Sequence, residues 1–356
     1  MRLAMDLRSM PLRAGGFSLP LRTSLVGSDG RVATFSCASK AWYEDATGRI
    51  VEVAAGVPRQ RPDLGTLIEE PRTNRLLWSR DLTNAAWVAT SATVVRCHGV
   101  DGLAGTASTV TATAANGQSL QTISGLTSAA RIGSAWIRRR TGSGTVYITN
   151  GATVEPVDVD GTWRRFFVAR AAATSFVFGV RIAVVGDAVD FDFAQVEDGT
   201  FPTSPIWTEG TALARAADVL HISTTGWPIT AGTVRLRYRA ITGAGDDPCV
   251  LLDTRAAALS PGYILEVRAG GTVALVIGDG STFPRVEAAH GGFEPGRLIE
   301  ARWGVGSGRM TVGATTASGA LISPTGSAAI GYLGRRVDGV ADVYANGWIA
   351  DLEVAA

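Results

Sequence analysis

The sequence predicts an all-β protein: two antiparallel β-sandwich domains after an N-terminal segment. Three observations carry this. Apolar residues recur with period two in both halves, Gly/Ser/Thr-rich turns separate the runs, and no long amphipathic helical pattern appears. Val234, Leu236 and Tyr238 alternate with Arg235, Arg237 and Arg239, which reads as a strand with one buried and one solvated face. Phe176, Phe178, Val180 and Ile182 share one face of a second such strand. The 43 glycines among 356 residues fit a turn-dense β protein, and the best helix candidate, Thr83–Trp87, is a single turn.

Further strands are expected at Ala135–Arg138, Thr145–Thr149, Trp163–Arg170, Val189–Val196, Tyr263–Arg268, Thr272–Ile277, Leu298–Trp303 and Arg309–Ala314. Ala269-Gly270-Gly271 suits a hairpin between two of them. Asn346-Gly347 predicts a type I′ turn closing a C-terminal hairpin from Asp342–Tyr344 to Trp348–Val354. The run Arg138-Arg139-Arg140 reads as a strand end entering a turn. Composition and turn residues place the boundaries at 1–66, 67–218 and 219–356.

Hydrophobic residues make up 46% and charged residues 18%, a globular balance, and the length suffices for two or three cores. The formal net charge of +1 gives no field for nucleic acid, and no apolar run reaches the length of a membrane span, so neither nucleic acid nor membrane insertion is expected. Lys40 is the only lysine, an arginine bias that reads as genomic composition. Cys37, Cys97 and Cys249 are odd in number and in no CxxC spacing, so free thiols are expected from synthesis in a reducing cytoplasm. The N-terminus does not read as a signal peptide, because charge interrupts it too early.

Residues 67–87, Leu67-Ile68-Glu69-Glu70-Pro71-Arg72-Thr73-Asn74 through Ser79-Arg80-Asp81-Leu82-Thr83-Asn84 to Trp87, resemble a signature of bacteriophage and prophage structural proteins. There it opens a jelly-roll domain similar to carbohydrate-binding modules. The resemblance continues through Ser134–Arg138, Trp163-Arg164-Arg165, Ala194-Gln195-Val196-Glu197-Asp198-Gly199, Thr203–Ile206 and Arg215-Ala216-Ala217-Asp218. Arg75 stands where leucine is usual, Pro71 where glutamine is frequent, and Pro205 in place of a tyrosine. The motif residues Glu69, Arg72, Thr73, Asn74, Trp87, Trp163, Gln195, Glu197, Arg215 and Asp218 are read as structural. Arg72 is expected to pair with Glu69 or Glu197, Asn74 to satisfy turn backbone groups, and both tryptophans to fill core. Residues 219–356 resemble a concanavalin A-like, laminin-G-like sandwich.

The resemblance implies a virion structural protein, made in the infected bacterial cytoplasm. A tail fibre or tail-tip adhesin that contacts a host-surface glycan is the leading reading. The alternatives are a capsid decoration or head-fibre protein, a glycan-binding lectin and, last, a glycan hydrolase. Residues 1–66 are expected to anchor the subunit to other virion proteins, so that their removal leaves a folded remainder unable to enter particles. A homotrimer or other cyclic homo-oligomer is expected. No enzyme motif appears, and His98, His221 and His290 stand isolated. No cofactor is expected beyond a structural calcium, for which Asp187, Asp190 and Asp192 are the candidates, with Asp246-Asp247 a second place.

Overall fold

A computed structural model describes residues 16–242, 244, 247–293, 296–322, 325–337 and 343–356. The described residues form strands, turns and loops, with no α-helix, and every strand pairing is antiparallel. The chain divides into two compact units, and both are discontinuous in sequence. The central unit comprises Ser39–Ala54 and Pro71–Ala216. The C-terminal unit comprises Ala55–Glu70 and Ala217–Ala356, with the described residues through Ala38.

In the central unit two five-stranded sheets face each other. One runs in the order Arg164–Ala173, Ala129–Thr141, Ala188–Asp198, Ala107–Ala112, Ala92–Cys97. The other runs Val154–Val157, Val146–Thr149, Phe176–Ile182, Gly117–Ile123, Val88–Thr90. Phe176, Phe178, Val180 and Ile182 are fully buried between them, as their alternation predicts, with Val146 beside Ile182 in the same sheet and Val110, Ile137, Val189 and Phe191 opposite. Burying each such side chain stabilises by ~1.5–3 kcal/mol. Thr83–Trp87 forms turns, and Trp87 sets its ring edge-on to Phe191 at 6.1 Å.

The C-terminal unit also has two sheets. One joins Thr315–Gly319, Ser307–Val312, Arg297–Gly304, Gly232–Ala240, Gly347–Ala355, Gly65–Ile68 and Gln60–Arg61, with Phe17–Leu19 also on Gly347–Ala355. The other joins Thr34–Ser36, Val219–Ser223, Ile330–Leu333, Cys249–Asp253, Gly262–Arg268, Thr272–Gly278 and Arg285–Ala289. Val234, Leu236 and Tyr238 face the core. On the opposite face Arg235 lies directly across from both Glu300 and Glu353 and pairs with each. Charges of opposite sign opposite one another across strands support the register. The hairpin at Ala269-Gly270-Gly271 forms, with both glycines at positive φ.

Two expectations are corrected. Residues 16–66 do not stand apart as a segment of their own. Phe17–Leu19 pairs with Gly347–Ala355, Thr34–Ser36 with Val219–Ser223, and the strands of Gln60–Ile68 complete the first sheet. The hairpin of Ala41–Glu44 and Ile50–Val53 belongs to the central unit. These strands hold four residues or fewer, so they show no alternation, and partners such as Val354 for Phe17 lie far along the chain. The expected C-terminal hairpin also fails among the described residues; Asp342 lies outside them. Asn346 adopts φ 45°, but Gly347 already pairs with Ala240 and Ile68. The Asn346 side chain serves Glu70 instead, accepting from its N–H at 3.0 Å and donating to its carboxylate at 3.3 Å.

Candidate functional site

The outward face of the sheet containing Ala129–Thr141 concentrates polar and aromatic chemistry. Inward residues Ile137, Val189, Phe191 and Val110 alternate with outward Arg138, Asp190 and Thr109. Register places Arg138, Asp190, Thr109 and Val95 in one row across four strands. Arg164 opposes Ile137, so Trp163 extends that row, and the Arg138 guanidinium stacks over its ring at 4.7 Å. A second stacked pair lies beside it, Arg165 over Trp136 at 4.5 Å.

Asp190 organises the row. It accepts from Thr109 Oγ1 at 2.6 Å, Arg138 Nε at 2.8 Å and Arg140 Nε at 2.7 Å. Burial on its own would raise this carboxyl; hydrogen bonds from Arg140, Thr109 and Arg138 outweigh burial and hold it below the usual carboxylate range. The Cys97 thiol, raised chiefly by burial, lies against Arg140 and Asp190 and stays neutral.

A bulge separates this open part from a covered part. Phe193 has φ 45°, and the register slips there, so Asp192 and Phe193 both point outward while Ala194 and Val196 return to the core. The hairpin residues Trp42 and Ile50 cover that end, packing with Val100, Trp136 and Phe193. Arg80 lies beneath them, stacked on Phe193 at 4.0 Å and forked onto Asp192 at 2.8 and 2.9 Å. It also pairs with Asp101 at 2.7 Å. Asp192 accepts further from the N–H groups of Val100 and Phe193.

The motif residues line buried brackets. Asn74 is fully buried and spends its whole amide: Nδ2 donates to the carbonyls of Ala194 and Ile206, and Oδ1 accepts from Leu76 and Val196. Glu197 accepts from the N–H and hydroxyl of Thr203. Gln195 accepts from Ile206 N–H at 2.7 Å. Trp87 Nε1 donates to the carbonyls of Leu77 and Trp78, and Trp163 packs partly buried at the edge of the cluster that contains Trp42, Trp136 and Phe193. Thr73 and Arg72 pair with Ala214 and Arg215, and the Arg72 guanidinium stacks on Phe201 at 4.9 Å. Arg215 is buried and donates to the Ala216 carbonyl. In the C-terminal unit Glu69 and Asp218 are both held by Arg59, with all three side chains fully buried. Asp218 also accepts from the Glu69 N–H at 2.8 Å.

The calcium candidates have other partners. Asp190 holds Arg138 and Arg140, Asp192 holds Arg80, and Asp187 accepts from Gly144 N–H at 2.7 Å with Arg139 at 3.6 Å. Guanidinium groups neutralise these carboxylates where a cation would sit, and the donor set does not fit calcium. Among the described residues no group of three or more His, Cys, Asp or Glu converges on a metal position. Asp246 lies outside the described residues. His290 stacks on Phe293 at 4.3 Å, and His221 lies 5.9 Å from Tyr332.

Sequence reasoning missed Arg59, Arg80 and the Arg138/Arg140 pair. Arg80 sits inside the motif string, three residues before Thr83; its neighbour Asp81 pairs with Arg96, and the carboxylates that hold Arg80, Asp101 and Asp192, are distant in sequence. Arg138 and Arg140 have strand spacing, which puts both on one face. That spacing was a usable signal.

No family model matches the chain, and no curated protein does. Solved structures that it resembles include the binding domain of botulinum neurotoxin serotype D, at 9% identity and TM-score 0.31 over 39% of this chain. The chain spans 37% of that domain's length. Mouse laminin alpha1 chain domains LG4-5 align at 11% identity and TM-score 0.30, covering 81% of this chain and 89% of that one. The CBM22-1-CBM22-2 tandem of Paenibacillus barcinonensis Xyn10C aligns at 10% identity and TM-score 0.26, covering 80% and 96%. At identities and TM-scores this low, no ligand, partner or activity passes from them to this chain.

Proposed function

We propose that this protein is a non-enzymatic structural subunit of a bacteriophage particle, a tail fibre or tail-tip adhesin that touches a host-surface glycan. The observation that carries this reading is how the motif residues spend their polar groups. Asn74, Gln195 and Glu197 are buried and hydrogen-bonded to backbone, and Glu69 and Asp218 are held by a buried guanidinium. A string shared in pattern with phage structural proteins is thus a clasp for strands. A glycan hydrolase needs two carboxyl groups facing a cleft, one of them free to exchange a proton. Here Asp190 and Asp192 are each neutralised by arginine.

Attachment to neighbouring particle proteins and a cyclic homo-oligomer belong to the same reading. Mass spectrometry of purified particles should detect the chain in defined copy number, and antibody labelling in electron micrographs should mark the tail. Absence from particles, or release of reducing sugar from a polysaccharide, would overturn the proposal.

A further inference from the structure

The glycan contact lacks a location and a ligand class. Building on the function proposed above, we propose that the outward row of Trp163, Arg138, Asp190, Thr109 and Val95, with Arg140 beside it, binds a carboxylate-bearing saccharide such as a hexuronate oligomer.

Charge complementarity is the first argument. The open part of this face carries the guanidinium groups of Arg138 and Arg140 against the carboxylate of Asp190. Asp160 nearby is already paired with Arg164 at 2.6 Å. The excess is positive although the whole chain is almost neutral at +1, so the charge is a local feature and no general polyanion field exists.

Donor availability is the second. Asp190 takes Nε of Arg138, and neither Nη of Arg138 has a hydrogen-bond or ion-pair partner among the described residues. The side chains of Arg138 and Arg140 are 29% and 44% exposed. The carboxylate between them and the indole under Arg138 fix their planes before any ligand arrives. A preorganised planar donor pair suits the two oxygens of a carboxylate.

Shape is the third. Five strands spaced ~4.8 Å apart make a row ~19 Å long. Trp163 stands at one end and Val95, 59% exposed, at the other. Apolar ends around a charged centre suit an extended chain that alternates C–H faces with acid groups. A lone anion would use only the centre.

Isothermal titration of the full-length protein with a tetra-hexuronate tests this. Binding is expected with the acidic oligomer, weakening as salt rises, and absent with its carboxyl-reduced neutral counterpart. Arg140→Gln should weaken binding about tenfold, since one charge-assisted contact is lost. Val95→Asp adds a negative charge at an exposed position, leaves the Asp190 network whole and should abolish binding. Arg181→Gln, on the other sheet, should change nothing. Equal binding of the neutral oligomer, full displacement by equimolar acetate, unchanged affinity in both row variants, or no binding at millimolar ligand would each overturn the inference. Particle membership is measured separately, so a failure here leaves the structural role standing or falling by mass spectrometry.

Discussion

Arg59→Met would leave Glu69 and Asp218 buried without the guanidinium that joins them. All three side chains are shielded completely from solvent. Burial alone would lower the Arg59 pKa, but Asp218 and Glu69 more than offset it, so the guanidinium stays charged at any ordinary pH. Removing one partner of a buried ion pair costs ~3–5 kcal/mol, because the remaining charge stays desolvated and loses that attraction. For a unit of this size each kcal/mol lowers Tm by ~2–4 °C, so a fall of about 6–20 °C is expected. The triple variant Arg59→Met, Glu69→Gln, Asp218→Asn removes the stranded charges and should recover at least half of the loss. Differential scanning calorimetry of the wild type, single and triple variants gives both numbers. A single-variant shift below about 3 °C, or a triple variant no better than the single, would refute the electrostatic account.

Asn74→Ala strands two carbonyls and two N–H groups in the central unit; at ~1–3 kcal/mol each, urea titration should register a loss above about 4 kcal/mol. The Asp190 carboxyl is depressed in the folded state, so its contribution is present above the unfolded pKa of ~3.9 and lost as pH falls through the lower folded value. Asp190→Asn should therefore lower the urea midpoint at pH 7 and flatten its decline below about pH 4; a decline as steep as wild type contradicts this. Burial pushes the Cys249 thiol up to about 12, so alkylation at pH 8 followed by peptide mapping should label Cys249 only after denaturation. Deleting residues 1–66 removes Arg59, three strands paired into the C-terminal unit, half of Gly65–Ile68 and the hairpin over Phe193. The product should be insoluble or lack near-ultraviolet dichroism, and a soluble product with native dichroism would contradict the strand assignments.

Local alternation was enough to place strands such as Gly232–Ala240 and Phe176–Ile182, because a strand of seven or more residues with one buried face writes its period into the sequence. The all-β class followed from the same signal, as did the turn at Gly270-Gly271. The motif resemblance also singled out Asn74, Gln195 and Glu197 as structural and gave Asn74 backbone groups to satisfy, though not which segments each of them joins. The destination of residues 16–66 was decided only in three dimensions. Their strands have two to four residues, and pairing of Phe17 with Val354 is a long-range contact that no local pattern encodes. The Asn346-Gly347 dipeptide shows the same limit from the other side. Its turn propensity is real, yet pairing of Gly347 with Ala240 and Ile68 outweighs it. The fate of each carboxylate was likewise tertiary. Asp190 and Asp192 look like equivalent ligands on one strand face, but the partner each receives depends on which strands lie alongside. Arg138 and Arg140 reach one, and Arg80, more than a hundred residues away, reaches the other. Spacing along a strand determines direction, while pairing between strands determines partners, and charge chemistry depends on partners.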